Sequence, residues 1–167
     1  MAHVVILMGS QSDEPVIAPC VDVLRELGVP FTLTVSSAHR TPERTEAIVA
    51  EEERAGAAVF ICAAGMAAHL AGAVAARTLK PVIGIPVSGS ALAGMDALLS
   101  TVQMPPGFPV ATVALDKAGA RNAAWLAAQI LALTDATLAE RLAQARRKMR
   151  EAVAKAGDEL RRKYAGA

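Results

Sequence analysis

Five short apolar runs punctuate the chain: Val4 to Met8, Phe31 to Val35, Ala58 to Ala63, Val82 to Pro86 and Val110 to Leu115. Each is followed by a loop and, further on, by a longer stretch with helical periodicity. This alternation predicts parallel strands joined by crossover helices, an α/β arrangement with a five-stranded parallel sheet covered by helices on both faces. The runs are almost continuously apolar, as strands buried on both faces are. A chain of 167 residues has the size of one domain and buries roughly 70% of its unfolded surface. The expectation is therefore a single three-layer α/β domain over residues 1–167, with 134–167 as a C-terminal helical extension and no internal repeat or linker.

The first helix is expected from about Glu14 to Leu27, with Pro15 in its first turn and Gly28 after its last. The second starts at Thr41-Pro42-Glu43, where a hydroxyl can cap, proline fits the first turn and a carboxylate faces the positive end of the helix dipole. Both helices follow a strand, so their N-termini lie at the sheet edge where ligands bind in parallel α/β folds. Two other helical stretches, Met66 to Leu79 and Ala118 to Leu133, are apolar almost all round, and neighbouring subunits are expected to bury them. In the last segment Leu138, Leu142, Ala145, Met149, Val153, Ala156 and Leu160 form an apolar stripe on a charged helix of roughly 30 residues. That helix either projects to a partner subunit or lies back on its own domain.

Composition narrows the function. With 53% hydrophobic, 3% aromatic and 20% charged residues and a net charge of +1, the chain is neither a solvated disordered segment nor a basic nucleic-acid binder, and it offers few stacking platforms for single strands. Cys20 and Cys62 sit in apolar segments without metal-type spacing and read as small buried hydrophobes in a reducing compartment. The N-terminus lacks the basic flank and length of a signal peptide, and no run approaches a membrane span. A cytoplasmic protein that avoids membranes is expected. Three histidines without a surrounding carboxylate or cysteine cluster argue against a tightly bound metal. Trp125 and Tyr164 lie far from the expected ligand edge, which disfavours a flavin carrier.

Chemistry concentrates in the loops after the strands. Gly9-Ser10-Gln11-Ser12-Asp13 combines a glycine for close backbone approach with hydroxyls and free helix amides for phosphate oxygens, and Asp13 suits sugar hydroxyls. Ser12 or Asp13 equally suits a plain helix cap. In Ser37-Ala38-His39-Arg40-Thr41-Pro42 an imidazole, the side chain type that exchanges protons near neutral pH, adjoins a guanidinium suited to phosphate or carboxylate. Gly65-Met66-Ala67-Ala68-His69-Leu70 lets backbone amides approach a planar or anionic group, while His69 itself reads either as a ligand-facing or as a structural histidine. Pro105, Pro106, Gly107 and Pro109 shape a rigid turn into the fifth strand.

Gly9-Ser10-Gln11-Ser12-Asp13, Ser37-Ala38-His39-Arg40-Thr41-Pro42, Ala67-Ala68-His69-Leu70 and Leu98-Leu99-Ser100-Thr101-Val102-Gln103-Met104-Pro105 together resemble the PurE family. Within it they look like class I, the N5-carboxyaminoimidazole ribonucleotide mutases of de novo purine (IMP) biosynthesis. The likeness runs in order from about Val4 to Leu133. It implies a flavodoxin-like fold, a homo-octamer, no cofactor and no metal, a ribonucleotide substrate, and a functional link to the preceding ATP-dependent carboxyaminoimidazole ribonucleotide synthase. By position it makes His39 the acid-base residue and places Ser10, Asp13 and Arg40, with Gly9 and Ser12 of the same loop, on the nucleotide. Ser37, Gly65, Ala67, Ala68, His69 and Leu70 then line the carboxylate and base region.

This chain departs from the family pattern at Met66, where a second glycine is usual, at Ala71 in place of proline, and at Glu14 in place of an aromatic. None of these removes a group that exchanges a proton. The nearest rival activity is a direct aminoimidazole ribonucleotide carboxylase using carbon dioxide. A non-catalytic nucleotide-binding protein on the same fold is a second rival, and it has no need for adjacent histidine and arginine in the ligand loop.

Overall fold

A computed structural model describes residues 2–165 of the chain. Five strands form one parallel sheet in the order β2-β1-β3-β4-β5: β1 (His3–Met8), β2 (Phe31–Val35), β3 (Ala57–Gly65), β4 (Val82–Val87) and β5 (Ala111–Thr112). Six helices complete the fold: α1 (Glu14–Glu26), α2 (Pro42–Ala55), α3 (Leu70–Ala75), α4 (Met95–Val102), α5 (Asp116–Leu131) and α6 (Ala136–Tyr164). The three-layer flavodoxin-like α/β arrangement read from the sequence is the observed one.

The apolar runs form strands because both of their faces are buried. Along β1, Val4, Ile6 and Met8 pack with Ile17, Cys20 and Leu24 of α1 and with Ala120, Ala124 and Ala127 of α5. Val5 and Leu7 point the other way, onto a second cluster with Val49 of α2 and Leu70 and Val74 of α3. Alternation with period two thus exists within a run that looks uniformly apolar. β1 is an interior strand, aligned with β2 from Val4 opposite Phe31 to Met8 opposite Val35 and with β3 from Val4 opposite Val59 to Met8 opposite Ala63. This register brings the carboxyl ends of β1, β2 and β3 to one edge.

Several expected elements differ. The fifth strand, expected over Val110 to Leu115, pairs regularly only at Ala111–Thr112. Beyond it the Val113 N–H still donates to the Gly84 carbonyl at 3.1 Å, but Asp116 then takes a left-handed backbone (φ 56°) and the chain turns into α5. The helix expected from Met66 to Leu79 is confined to Leu70–Ala75, because Met66 is left-handed at φ 55° and residues 66–69 form a loop. Leu98 to Val102, read as part of a loop, belongs to α4, whose Ala97 and Thr101 are buried against the sheet.

The near-uniform apolarity of α5 has an explanation within the chain. Gly119, Ala120, Ala123, Ala124, Ala127 and Ala128 are all buried where α5 lies against α1, β3 and β4. A Cβ on Gly119 would stand 1.6 Å from the Ala114 carbonyl oxygen, so a bare backbone is what permits this approach. Only the first turns of α6 rest on the domain: Leu138 and Leu142 are buried, whereas Val153 is 74% exposed and Met149 and Leu160 also lie open. The C-terminal helix therefore projects. Cys20 and Cys62 are free and buried.

Candidate active site

The loop after β1 begins with the Gly9 N–H donating to the Ala63 carbonyl at 2.9 Å, which ties it to the end of β3. A 3₁₀ turn, Gln11–Asp13, follows. Ser10 caps it by accepting from the Ser12 N–H at 3.3 Å, and the Ser12 hydroxyl donates to Ser10 Oγ at 2.9 Å. Asp13 occupies the N-cap position of α1 but its side chain caps nothing. Of the two uses the sequence leaves open for this residue, helix cap or ligand contact, the first is not the one observed. Half-burial pushes the Asp13 carboxyl above its ordinary pKa, against opposing hydrogen bonds from the Ser10 backbone and the Ser12 hydroxyl.

After β2 the chain makes a closed turn. The Ser37 N–H donates to Thr41 Oγ1 at 3.1 Å, the Thr41 hydroxyl donates back to the Ser37 carbonyl at 3.1 Å, and the Thr41 N–H reaches the same carbonyl at 2.8 Å. The hydroxyl expected to cap α2 is thus spent on the preceding turn, and it caps nothing in its own helix. Beneath it, Ser36 Oγ and Thr45 Oγ1 share a buried hydrogen bond of 2.8 Å. The turn holds His39 and Arg40 at its tip. The Arg40 N–H and Nε both donate to Ser37 Oγ, at 3.2 and 3.4 Å, and its Nη2 donates to the Gly9 carbonyl at 3.1 Å.

The loop after β3 supplies the third wall. Its left-handed residue, Met66, turns the chain so that His69 faces the second loop, with His69 Nδ1 2.8 Å from His39 Nε2 and the two rings edge to face at 4.8 Å between centroids. A cavity of about 570 Å³ opens between the three loops. It gathers Gly9, Ser10, Ser12, Asp13, Ser37, His39, Arg40, Gly65, Ala67, His69 and Leu70, eleven of the twelve residues singled out in the sequence. Ala68 is the exception: it is buried beneath the loop and does not line the cavity.

Sequence reasoning missed Val87 and Gly89, which close the fourth side. Their position is set from α5: Asp116 Oδ1 accepts from the Ser88 N–H at 2.8 Å, and Oδ2 accepts from the Ser88 hydroxyl. An isolated aspartate after an edge strand carries no local signal for that contact. The segment Leu98 to Pro105, quoted among the family-like motifs, lies on and after α4 away from the cavity, and Met104 packs against Gly72. A larger hollow of about 910 Å³ lies at the opposite edge, among Pro81, Val82, Phe108 and Ala111 at the start of β4 and β5. It holds no histidine or serine. The third histidine, His3, is occupied by Glu52 at 2.7 Å. Among the described residues no three His, Cys, Asp or Glu side chains are grouped as metal ligands, and no helix is long and apolar enough to cross a membrane.

Comparison with known proteins gives the family. The family described as AIR carboxylase matches residues 3–152. The chain is 53% identical over 148 residues to the N5-carboxyaminoimidazole ribonucleotide mutase of Methanocaldococcus jannaschii, covering 89% of this chain and 90% of that one. It is 48% identical over 155 residues to the mutase of the same name from Bacillus subtilis, covering 93% and 96%. The crystal structure of Treponema denticola PurE superposes with a TM-score of 0.87 at 28% identity, covering 96% of this chain and 99% of that one. A match over nearly the whole domain, with the same fold, places the chain in the AIR carboxylase family.

Proposed function

We infer that the protein is an N5-carboxyaminoimidazole ribonucleotide mutase of purine biosynthesis, an isomerase that moves a carboxyl group from the exocyclic nitrogen of an aminoimidazole ribonucleotide to ring carbon 4. One observation carries this reading. His39 and Arg40, Ser10 and Asp13, and the amide-rich loop of Gly65 and Ala67 line one cavity in a chain about half identical to relatives bearing that name.

Arg40, Ser10 and the start of α1 suit the phosphate, and Asp13 accepts from ribose hydroxyls. The imidazole base then reaches His39. His39 donates a proton to the exocyclic nitrogen as its bond to the carboxyl carbon breaks, leaving aminoimidazole ribonucleotide and carbon dioxide. Carbon 4 attacks the carbon dioxide. Neutral His39 then removes the proton from carbon 4, which restores the aromatic ring and the original state of the histidine. No proton is gained or lost overall. Backbone amides near Gly65 and Ala67 stabilise the carboxylate, and confining both fragments supplies the advantage of an intramolecular step.

Carbon dioxide must not escape between the two halves, yet His39 and Arg40 are exposed in a single chain. Assembly completes the enclosure. Leu133, 83% exposed, and the open stripe of α6 at Met149, Val153 and Leu160 give apolar surface for the octamer that the family resemblance implies. The compartment is the cytoplasm, where the ATP-dependent synthase supplies the labile carbamate.

The test is an absorbance assay for the carboxylated imidazole, with purified protein and either the carbamate substrate or aminoimidazole ribonucleotide plus bicarbonate. Rapid turnover of the carbamate alone is expected. Turnover only with bicarbonate identifies a direct carboxylase, and binding without turnover identifies a nucleotide-binding protein. His39→Asn is expected to lower kcat by roughly 100- to 10,000-fold while leaving nucleotide affinity nearly intact; near-normal turnover in that variant removes His39 from its role.

A further inference from the structure

We propose that Asp116, at the start of α5, is a positioning residue for the mutase reaction: through Ser88 it holds the loop after β4 against the end of the cavity where the carboxyl group is transferred, and so keeps carbon dioxide in the site. The inference rests on the reaction assigned above. Asp116 does not itself line the cavity.

The backbone of Asp116 is left-handed, at φ 56°. A residue with a Cβ adopts that conformation at a cost, and such strain persists where surrounding contacts fix it. Here the contacts are two hydrogen bonds from one residue: Oδ1 accepts from the Ser88 N–H at 2.8 Å, and Oδ2 accepts from the Ser88 hydroxyl. Both go to a charged acceptor, which strengthens them. Among the described residues the carboxylate forms no ion pair, so Ser88 is what it serves.

The loop between β4 and α4, residues 88–94, otherwise closes on itself. The Leu92 N–H donates to Ser90 Oγ at 3.0 Å and the Ala93 N–H to the Ser90 carbonyl at 3.1 Å. Gly94 returns beside the point of departure, where a Cβ would collide with Leu115 and Ser88. Among the described residues the two bonds to Asp116 are the only side-chain hydrogen bonds that tie this loop to another element. It is a small closed unit with one anchor.

The sheet order says which half of the reaction that anchor governs. β3 lies between β1 and β4, Val87 is aligned with Gly65, and a Cβ on Gly65 would stand 3.0 Å from the Val87 carbonyl oxygen. The β4 loop therefore abuts the amides of Gly65 and Ala67, which hold the carboxylate in the proposed reaction, whereas Ser10, Asp13 and Arg40 belong to the loops of β1 and β2. Release of Ser88 opens the carboxyl side and leaves the phosphate side as it is. The bond from the exocyclic nitrogen to the carboxyl carbon then still breaks as His39 protonates the nitrogen, but carbon dioxide departs before carbon 4 attacks it. Aminoimidazole ribonucleotide is released, and neutral His39 regains its proton from water.

Initial rates with the carbamate substrate in bicarbonate-depleted buffer, with both products separated by chromatography and corrected for uncatalysed decay of the carbamate, test this. Asp116→Gly removes the carboxylate from a backbone that glycine adopts without strain. It is expected to lower kcat for the carboxylated imidazole about 10-fold with KM changed less than about twofold, and to release aminoimidazole ribonucleotide in its place. Asp116→Asn tolerates the same backbone, offers an oxygen to the Ser88 N–H and an N–H to the Ser88 oxygen, and is expected to keep most of kcat with little leakage. Deuterium exchange in the peptide spanning residues 88–94 of the unliganded protein is expected to quicken in the Gly variant and not in the Asn variant. Wild-type kcat without leakage in Asp116→Gly overturns the proposal, as do a loss carried by KM alone, equal leakage in both variants, or unchanged exchange. If the wild-type protein turns over neither substrate, the mutase reading fails, yet the exchange still reports whether Asp116 anchors the loop.

Discussion

Arg40 Nη2 donates to the carbonyl of Gly9 at 3.1 Å, joining the loop after the second strand to the loop after the first. The same guanidinium also donates from Nε to Ser37 Oγ at 3.4 Å. Two of its donors are thus spent on aligning the loops and the others are free for an anion.

From this follows a prediction on affinity. On the proposed placement of the phosphate, Arg40→Ala removes its charged partner as well as the joint between the loops, so KM for the ribonucleotide is expected to rise about 10- to 100-fold, the equivalent of one charge-assisted hydrogen bond. Arg40→Lys keeps the charge but lacks the planar fork, and is expected to recover only part of the loss. Steady-state kinetics on both variants test this; a KM unchanged in Arg40→Ala removes the arginine from the phosphate site.

Met66 connects a departure in sequence to a cost in backbone energy. It stands where the family pattern has glycine, its φ is 55°, and its side chain is 64% exposed, so little packing offsets the strained conformation. Left-handed backbone costs a residue with a Cβ roughly 1–2 kcal/mol. Met66→Gly is expected to raise stability by about 1 kcal/mol, read as a higher thermal midpoint at fixed protein concentration. A lower midpoint shows that the thioether makes compensating contacts.

What was legible in the sequence depended on how local its cause was. The runs Val4 to Met8 and Val82 to Pro86 declare buried parallel strands through their own composition, and the residues of the cavity are readable because each strand ends in its own short loop. Ala68 is buried away from the cavity lining, which a motif does not reveal because it fixes residue order and not which side of a loop each residue faces. The shortened β5 and α3 depend on left-handed backbone at Asp116, a residue type that tolerates it without announcing it, and at Met66, a type that ordinarily avoids it. The Asp116 to Ser88 contact spans 28 positions, and the His39 to His69 contact joins two strands' loops; both exist only once the sheet order is known.

Gly119 separates helix propensity from packing. Alanine is the better helix former by about 1 kcal/mol in an exposed interior, yet here its Cβ meets the Ala114 carbonyl oxygen and carbon, backbone atoms that cannot rotate away. Overpacking of this kind costs typically 1–3 kcal/mol. Gly119→Ala is therefore expected to lower the thermal midpoint, and an increase shows that the turn from β5 into α5 yields more readily than a packed backbone does.

Asp13 gives the site a signature in pH. Burial raises its pKa in the folded protein, so between the ordinary aspartate value of about 3.9 and the raised one the folded state binds more protons than the unfolded state. Stability from this group then falls as pH rises through that window. Below it both states are protonated, and above it the full cost of a half-buried carboxylate persists. Asp13→Asn carries no charge at any pH, so its stability relative to wild type is expected to grow from about pH 4 upward and then level off. Thermal midpoints across that range, without nucleotide, are the measurement; a difference that shrinks with rising pH means that the hydrogen bonds from Ser10 and Ser12 outweigh burial. With Asp13 on the ribose as proposed, the carboxylate is the form that accepts from the ribose hydroxyls, and saturating ribonucleotide is expected to stabilise wild type more than the variant at neutral pH.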